Sequence, residues 1–408
     1  MVGDSAAVDL LTSDVARATG GRLTGPDVTV SGASIDSRTV RAGVGSLAAM
    51  PTPDRVRLVV LFGGQSAEHE VSCVTASHVL RAADPERYDL VPVGITQDGT
   101  WVQSDEAVAA LTEGARALPP HLTATGTAVE PMPIVTPASA DVPVVVLPLL
   151  HGTKGEDGTV QGLLELANVP YVGAGVLASA LCMDKVKAKE VLTIHGLPQT
   201  PWTHVAADAA ETAAAAVDEA GLAYPLFVKP ANAGSSVGVT KVKAPGELAD
   251  AVAVAAGYDE WVVIEQGVDG GREIEVAVLG NRRPRASVPG EIVTSHEFYD
   301  YEDKYLTGAC DLVIPAPVTE EQAARVRELA VVAYRALRAE GMARVDFFLD
   351  AEGNFLVNEL NTIPGFTPGS MYPKLWEATG LAYPDLIDEL VRLAVERHER
   401  RSRLSTKR

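Results

Sequence analysis

The stretch ARVDFFLDAEGNFLVNELN, residues 343–361, decides the fold. Two alternating runs, 343–349 and 355–360, flank Asp350-Ala351-Glu352-Gly353-Asn354, which carries the Asp, Gly and Asn of a tight turn. A turn centred near Glu352-Gly353 sets Asp346 directly opposite Glu359. Strand alternation then puts Arg344, Asp346 and Phe348 on one face with Val357, Glu359 and Asn361. Facing carboxylates repel across a ladder. A divalent cation would remove that conflict, and carboxylate and amide oxygens suit magnesium. An Arg344 ion-pair network would also remove it, and spacing alone leaves both readings open.

Working outward, FVKPANAGSSVGV (227–239) ends a strand in Lys229 and continues into a Gly/Ser loop. Backbone N–H groups of such a loop cradle phosphate, and the lysine adds a point charge. A Walker loop differs, with its Lys-Ser/Thr at a helix start; the plainer alternative is a hairpin loop with a snorkelling lysine. HGTKGEDG (151–158) follows an apolar strand, where ligands of open α/β sheets bind. His151 there can hydrogen-bond a carboxylate or move a proton, or belong to an ordinary surface loop. GGQSAEHE (63–70) also ends a strand; Glu68 suits a substrate ammonium or the dipole of a helix start. FYDYEDKY (298–305) fits neither a strand nor a helix face, as expected of a loop that closes over a polar ligand or of a surface loop pinned by its aromatics.

Between these motifs the pattern is β/α from residue 56 and α+β beyond 196. Strands are expected at 56–62, 90–95, 142–149, 226–229, 237–242, 261–266 and 273–279. Helices are expected at 70–81, 159–167, 183–195 and 320–340, with a last amphipathic helix from about Pro384. Residues 107–138, rich in Ala, Thr and Pro, read as a variable connector.

The 408 residues suffice for several domains with real cores, and 47% hydrophobic with 22% charged residues is ordinary globular composition. A formal charge of −20 disfavours a nucleic-acid partner. The basic run 397–408 reads as a frayed tail. Cys73, Cys182 and Cys310 are far apart, with no metal spacing or disulfide framework, which fits a reducing cytoplasm. No signal peptide is evident, and the apolar runs are too short to cross a bilayer, so no membrane partner is expected.

In this order the motifs resemble the D-alanine–D-alanine ligases of the ATP-grasp superfamily, from about Arg57 to about Glu396. The resemblance implies an α/β and α+β chain: a Rossmann-like N-terminal domain followed by a two-subdomain ATP-grasp fold. Its boundaries are an appendage at 1–53, the Rossmann-like domain at 54–182, ATP-grasp subdomains at 183–268 and 269–397, and a basic tail at 398–408. It implies ATP and two Mg2+ ions, with Mn2+ as an alternative, D-alanine as substrate, and a homodimer. Lys185, Lys229 and the lid residue Lys304 match phosphate-contacting lysines. Glu265, Gln266, Val268, Glu273 and Phe348 match the adenine and ribose site, Gln266 standing where some members have lysine. Asp346, Glu359 and Asn361 match metal ligands; Arg344 and the Gly365 backbone match the oxyanion-stabilising groups. Glu68, Ser235 and Tyr305 match a hydrogen-bonded trio beside the D-alanine sites, His151 a neighbour of the reacting D-alanines, and Ser370 with the Met371 amide the grip on the second carboxylate.

Residues 12–43, with TSDVARATGG (12–21) and SIDSRTVR (34–41), resemble instead part of the N-terminal domain of the ligase that adds D-alanyl-D-alanine to UDP-muramyl tripeptide. The likeness stops near Gly43, and so short a piece buries little core, so a vestigial appendage is expected rather than a precursor-binding module. The rival functions are a D-alanine–D-lactate ligase, another ATP-grasp carboxylate–amine ligase, and a non-catalytic cell-wall binding or scaffold protein.

Overall fold

The structure is a computed structural model that describes residues 55–137, 142–268, 270–293 and 311–405, with the backbone of four short strands before residue 47. The chain divides into two compact units, Met1–Arg55 and Val56–Arg408. In the first, Leu10–Leu11 pairs antiparallel with Thr29–Val30, and Gly32–Ser34 pairs parallel with Val44–Ser46. Most of the appendage motif at 12–43 lies outside the described residues.

The second unit begins with Val56–Gly63 (β1), an apolar strand buried along nearly its whole length. It is buried because parallel neighbours flank it: Tyr88–Ile95 (β2), reached through helix His69–Ala82 (α1), and Val144–Pro148 (β5). Trp101–Gln103 (β3) and Thr127–Ala128 (β4) extend the sheet antiparallel, giving the order β4-β3-β2-β1-β5. The expected connector at 107–138 is more structured than its composition suggests. It holds Asp105–Glu113 (α2), capped by Ser104, then β4 and the short helix Pro131–Val135 (α3), and it buries Leu118, Leu122 and Val135.

Helices Thr159–Leu166 (α4) and Val176–Met183 (α5) follow. The helix expected from residue 183 starts instead at Lys185 (α6, Lys185–Ile194). Asp184 leaves the helical region, and its side chain accepts from the Lys187 amide as an N-cap.

Two antiparallel sheets make the rest. The first has Trp202–Ala206 (β6), Leu226–Pro230 (β7), Thr240–Val242 (β8) and Trp261–Gln266 (β9) in the order β6-β9-β7-β8. Helices Ala213–Glu219 (α7) and Leu248–Ala256 (α8) cover one face and share an apolar core with it. The loop after Lys229 runs longer than expected, because pairing resumes only at Thr240. The second sheet has Arg272–Leu279 (β10), Arg285–Val293 (β11), Asp311–Val313 (β12), Met342–Leu349 (β13) and Phe355–Asn361 (β14), ordered β12-β11-β10-β13-β14. Helix Glu320–Ala336 (α9) opens with a Thr319/Gln322 capping box and packs its apolar stripe on this sheet.

Asp346 pairs with Glu359 and Arg344 with Asn361, but a bulge follows Asp346. Asn358 is the extra residue, so Val357 pairs with Phe347 and Phe348 with Leu356. This corrects the uniform alternation. Val357 and Phe347 are fully buried in the apolar core, while Glu359 keeps its place on the opposite face.

The chain closes with Met371–Ala378 (α10) and Tyr383–Ser402 (α11). The frayed-tail reading fails for residues 397–402: α11 runs to Ser402 and Arg397 is only 3% exposed. Its guanidinium stacks 4.2 Å from the Tyr171 ring centroid and donates to the carbonyls of Tyr171 and Gly173. Arg400 and Arg401 pair with Glu340 and Glu165.

Candidate active site

The floor of the site is the β13–β14 ladder. Arg344 grips Asp346 with two parallel bonds, Nε to Oδ1 and Nη2 to Oδ2, each 2.7 Å. Asn361 Nδ2 adds a bond to Asp346 Oδ2 at 2.8 Å, and Arg344 Nε lies 3.0 Å from Glu275 Oε2. Glu275 pairs with Asp346 on the other side, so Glu275, Asp346 and Glu359 stand in a row across three strands. The Arg344 ion-pair network that the sequence left open is therefore present. Among the described residues, no group of three or more His, Cys, Asp or Glu side chains is gathered to hold a metal by protein ligands alone. The donor set of Asp346, Glu359 and Asn361 nevertheless supplies hard oxygens from one face of the ladder, on the Asp346–Glu359 rung and the Arg344–Asn361 rung two residues along, which fits a magnesium ion that shares its shell with phosphates.

Over this floor stand lysines from two elements. Lys185, the first residue of α6, donates from Nζ to the Ala233 carbonyl at 2.6 Å and lies 3.7 Å from Glu359 Oε2. Burial is the main influence on its pKa and lowers it; Glu359 pulls the other way. Lys229, at the end of β7, lies 2.7 Å from Glu265 Oε2. Burial alone would raise the Glu265 pKa, but the ammonium groups of Lys189 and Lys229 outweigh it and hold the carboxyl at about 2. The loop after β7 turns through left-handed backbone at Ser235 and Ser236, φ 49 and 60, conformations that L-residues other than Asn and Asp rarely take.

That strained turn aims Ser235 at Glu68, with Oγ donating to Oε1 at 2.5 Å. Glu68 is the N-cap residue of α1, yet its side chain makes no capping bond. Its carboxylate lines the cleft at the start of the helix, so the structure leaves both readings of this residue open. Gly152, at φ +73, lies so close that a Cβ there would stand 3.0 Å from Glu68 Oε2.

His151 is 4% exposed, which excludes the surface-loop reading. Its Nδ1 meets the Ile363 carbonyl at 3.0 Å, and Nε2 has no hydrogen-bond partner among the described residues. Burial lowers its pKa, against the pull of Glu68. A neutral ring with its proton on Nδ1 leaves Nε2 as an acceptor. Beside it is a residue left unassigned within HGTKGEDG: Glu156. Its Oε2 accepts from the Gly152 amide at 2.8 Å and its Oε1 from the Ile363 amide at 3.0 Å, tying the His151 loop to the end of β14. Burial, then Glu68, pushes its pKa up to about 8, against those two bonds. A Gly-flanked acid five residues after the histidine was the available signal.

Ser370 is the N-cap residue of α10, so the Met371 amide lies at a helix N-terminus; the Ser370 hydroxyl is 2.8 Å from Thr367 Oγ1. Gln266 turns its Oε1 to the Ala223 amide at 2.9 Å. Every described candidate residue lines a single cleft of ≈ 1410 Å³, including Val268, Glu273, Phe348 and Gly365. Tyr305 and Lys304 lie outside the described residues.

Comparison with known proteins agrees over most of the chain. The family model described as D-ala D-ala ligase N-terminus matches residues 57–174, and that described as D-ala D-ala ligase C-terminus matches residues 191–392. A D-alanine--D-alanine ligase of Geobacillus thermodenitrificans is 45% identical over 362 residues, covering 86% of this chain and 98% of that protein. Among solved structures, the D-alanine-D-alanine ligase from Coxiella burnetii is 37% identical with a TM-score of 0.71, covering 86% of this chain and 96% of that one. VanG D-Ala:D-Ser ligase from Enterococcus faecalis is 36% identical with a TM-score of 0.71, covering 83% and 99%.

Proposed function

The chain belongs to the D-alanine–D-alanine ligase family of ATP-grasp enzymes, and from that premise we propose how its cleft works. The enzyme joins two D-alanines into D-alanyl-D-alanine for peptidoglycan precursor synthesis, with cleavage of ATP to ADP and phosphate through D-alanyl phosphate. Ester formation with D-lactate is not favoured, since the relatives are dipeptide ligases.

Glu68 is assigned to the ammonium of the first D-alanine, supported by its buried carboxylate and by Ser235, which fixes one oxygen and leaves the other toward the cleft. That substrate's carboxylate attacks the γ-phosphorus. Lys185, Lys229 and Lys304 are assigned to the phosphates, and Glu265, Gln266, Val268, Glu273 and Phe348 to the adenosine. With the Gln266 side chain turned to Ala223, its contribution to adenine comes from the backbone. Asp346, Glu359 and Asn361 are assigned to two magnesium ions, with manganese as a substitute of the same donor preference. Bound there, a divalent ion neutralises phosphate charge.

His151 Nε2, an acceptor without a partner among the described residues, is assigned to an N–H of bound D-alanine. Ser370 and the Met371 amide are assigned to the carboxylate of the second D-alanine, favoured by the helix N-terminus. Its uncharged amine attacks the acyl carbon, Arg344 and the Gly365 amide steady the developing oxyanion, and phosphate leaves. Tyr305 and Lys304 belong to the segment assigned to exclude water from the acyl phosphate. The observation that carries these roles is the convergence of the Asp346–Glu359 rung, the two lysines and the Glu68–Ser235 pair on one cleft.

Among the described residues no helix is long and apolar enough to cross a membrane. We assign the enzyme to the cytoplasm, where ATP is supplied, and to a homodimer, which sedimentation checks directly. The functional test is phosphate release from ATP and magnesium with D-alanine as the sole amino acid. Absence of D-alanine-dependent release overturns the reading. Efficient depsipeptide formation with added D-lactate at neutral pH, or dipeptide formation with D-serine exceeding that with D-alanine, reassigns the second substrate.

A further inference from the structure

Lys189 has no role in the chemistry above. It follows Lys185 by one turn of α6, so both ammonium groups leave the same side of the helix. Lys185 reaches the cleft. Lys189 does not line it and is 1% exposed. Its Nζ lies 2.7 Å from Glu265 Oε1, while Lys229 Nζ lies 2.7 Å from the other oxygen of the same carboxylate. One buried acid is thus shared between a lysine at the cleft and a lysine sealed behind it. A buried ammonium is costly unless paired, and apolar Val186 and Val263 on the same elements would be answered by an apolar side chain at far less cost.

We propose that Lys189 is a positioning residue for nucleotide binding: it supplies Glu265 with a second counter-charge, so that Lys229 can turn from Glu265 to a phosphate oxygen. The physical reason is charge balance. With both lysines present, departure of Lys229 leaves Glu265 still neutralised. With Lys189 uncharged, Glu265 and Lys229 become an exclusive buried pair, and a phosphate must break that pair and strand a buried carboxylate. On this inference the Glu265 carboxylate serves ATP by holding Lys229 in reserve, which replaces a direct contact of that carboxylate with the adenosine to which Glu265 is assigned above. This inference rests on the assignment of Lys229 to the phosphates.

The test uses the full-length enzyme and the KM for ATP, the KM for D-alanine and kcat, with thermal melting in parallel. Lys189→Met is expected to raise the KM for ATP by about tenfold or more, with much less effect on the KM for D-alanine. Lys189→Arg, which keeps the charge, is expected to stay near wild type. The double variant Lys189→Met/Glu265→Gln is expected to regain most of the ATP affinity, because the competing carboxylate is gone. An unchanged KM for ATP in Lys189→Met, or a rise shared equally with D-alanine, overturns the inference, as does a double variant no better than the single. If Lys189→Met does not fold, Glu265→Gln decides: a KM for ATP raised as far as in Lys229→Met means that Glu265 serves the nucleotide directly. Lys229→Met is also the control on the premise. If it leaves the KM for ATP unchanged, the phosphate assignment fails first.

Discussion

Ser235 donates its hydroxyl to Glu68 across 2.5 Å, although 167 positions separate the two in the chain. The bond joins the end of the first strand of the Rossmann-like region to the glycine/serine loop of the central sheet. Glu68, the N-cap residue of α1, makes no side-chain capping bond to its own helix.

Glu68→Gln keeps the shape and the Ser235 bond but removes the charge offered to a substrate ammonium. A hydrogen bond to a charged group contributes about 1.5–3 kcal/mol, so kcat/KM for D-alanine should fall by roughly ten- to a hundredfold. The KM for ATP should hardly move. Steady-state kinetics with each substrate varied separately check this, and an equal loss for both substrates contradicts it.

Glu359→Gln should abolish turnover. The substitution leaves an oxygen donor on the rung but removes one of two facing charges, and losing a preorganised electrostatic partner costs about a hundred- to a thousandfold in kcat. Phosphate release measured across a magnesium titration is the check. Near-normal kcat at ordinary magnesium would exclude the metal role.

Glu156 ties stability to pH. Its folded pKa, about 8, lies above the usual 4.5, chiefly through burial. The folded state therefore holds the proton more tightly. The contribution is full below pH 4.5, declines as pH rises between 4.5 and 8, and is gone above about 8. Glu156→Gln should lower stability overall, since its amide N–H₂ faces a backbone donor, but should flatten that slope. Urea unfolding at intervals between pH 5 and 9 reads the slope, and an unchanged slope assigns it elsewhere.

Arg397→Met should lower stability by about 2–4 kcal/mol, because two buried carbonyls lose their donor and Tyr171 loses its stacked cation. Deleting residues 403–408 should cost almost nothing. Melting temperatures of the two proteins test the contrast, and equal stability would mean that Arg397 is dispensable.

Removal of residues 1–53 should leave turnover intact, because the family match starts at residue 57 and every described candidate residue belongs to the unit Val56–Arg408. A matched assay of the truncated and full-length chains decides.

Much of the site was legible from local pattern. The turn residues at 350–354 marked the hairpin, and glycines after apolar strands marked the loops of Glu68 and His151; the facing of Asp346 with Glu359 is restored only by the bulge, because the register next to the turn, Phe347 with Val357, would set Asp346 opposite Asn358. Such features follow from backbone stereochemistry and two-residue periodicity, which act between neighbours in sequence. The bulge at Asn358 escaped that logic, because the pull of Val357 into the core comes from Phe347 and the packed sheet rather than from its own strand.

The sequence alone determined the strand–turn–strand hairpin that carries both acids, the lysine-ended strand with its polar loop, and the glycine turns after the first sheet's strands; the bulge then decided that the acids face each other. Tertiary structure alone decided that Ser235 meets Glu68, that Glu156 bridges the His151 loop to Ile363, that Lys189 and Lys229 share Glu265, and that Arg397 is buried rather than frayed. The physical reason is range. Backbone propensity and periodicity act within a few residues, whereas burial and charge pairing depend on whichever distant segments the packed chain brings together.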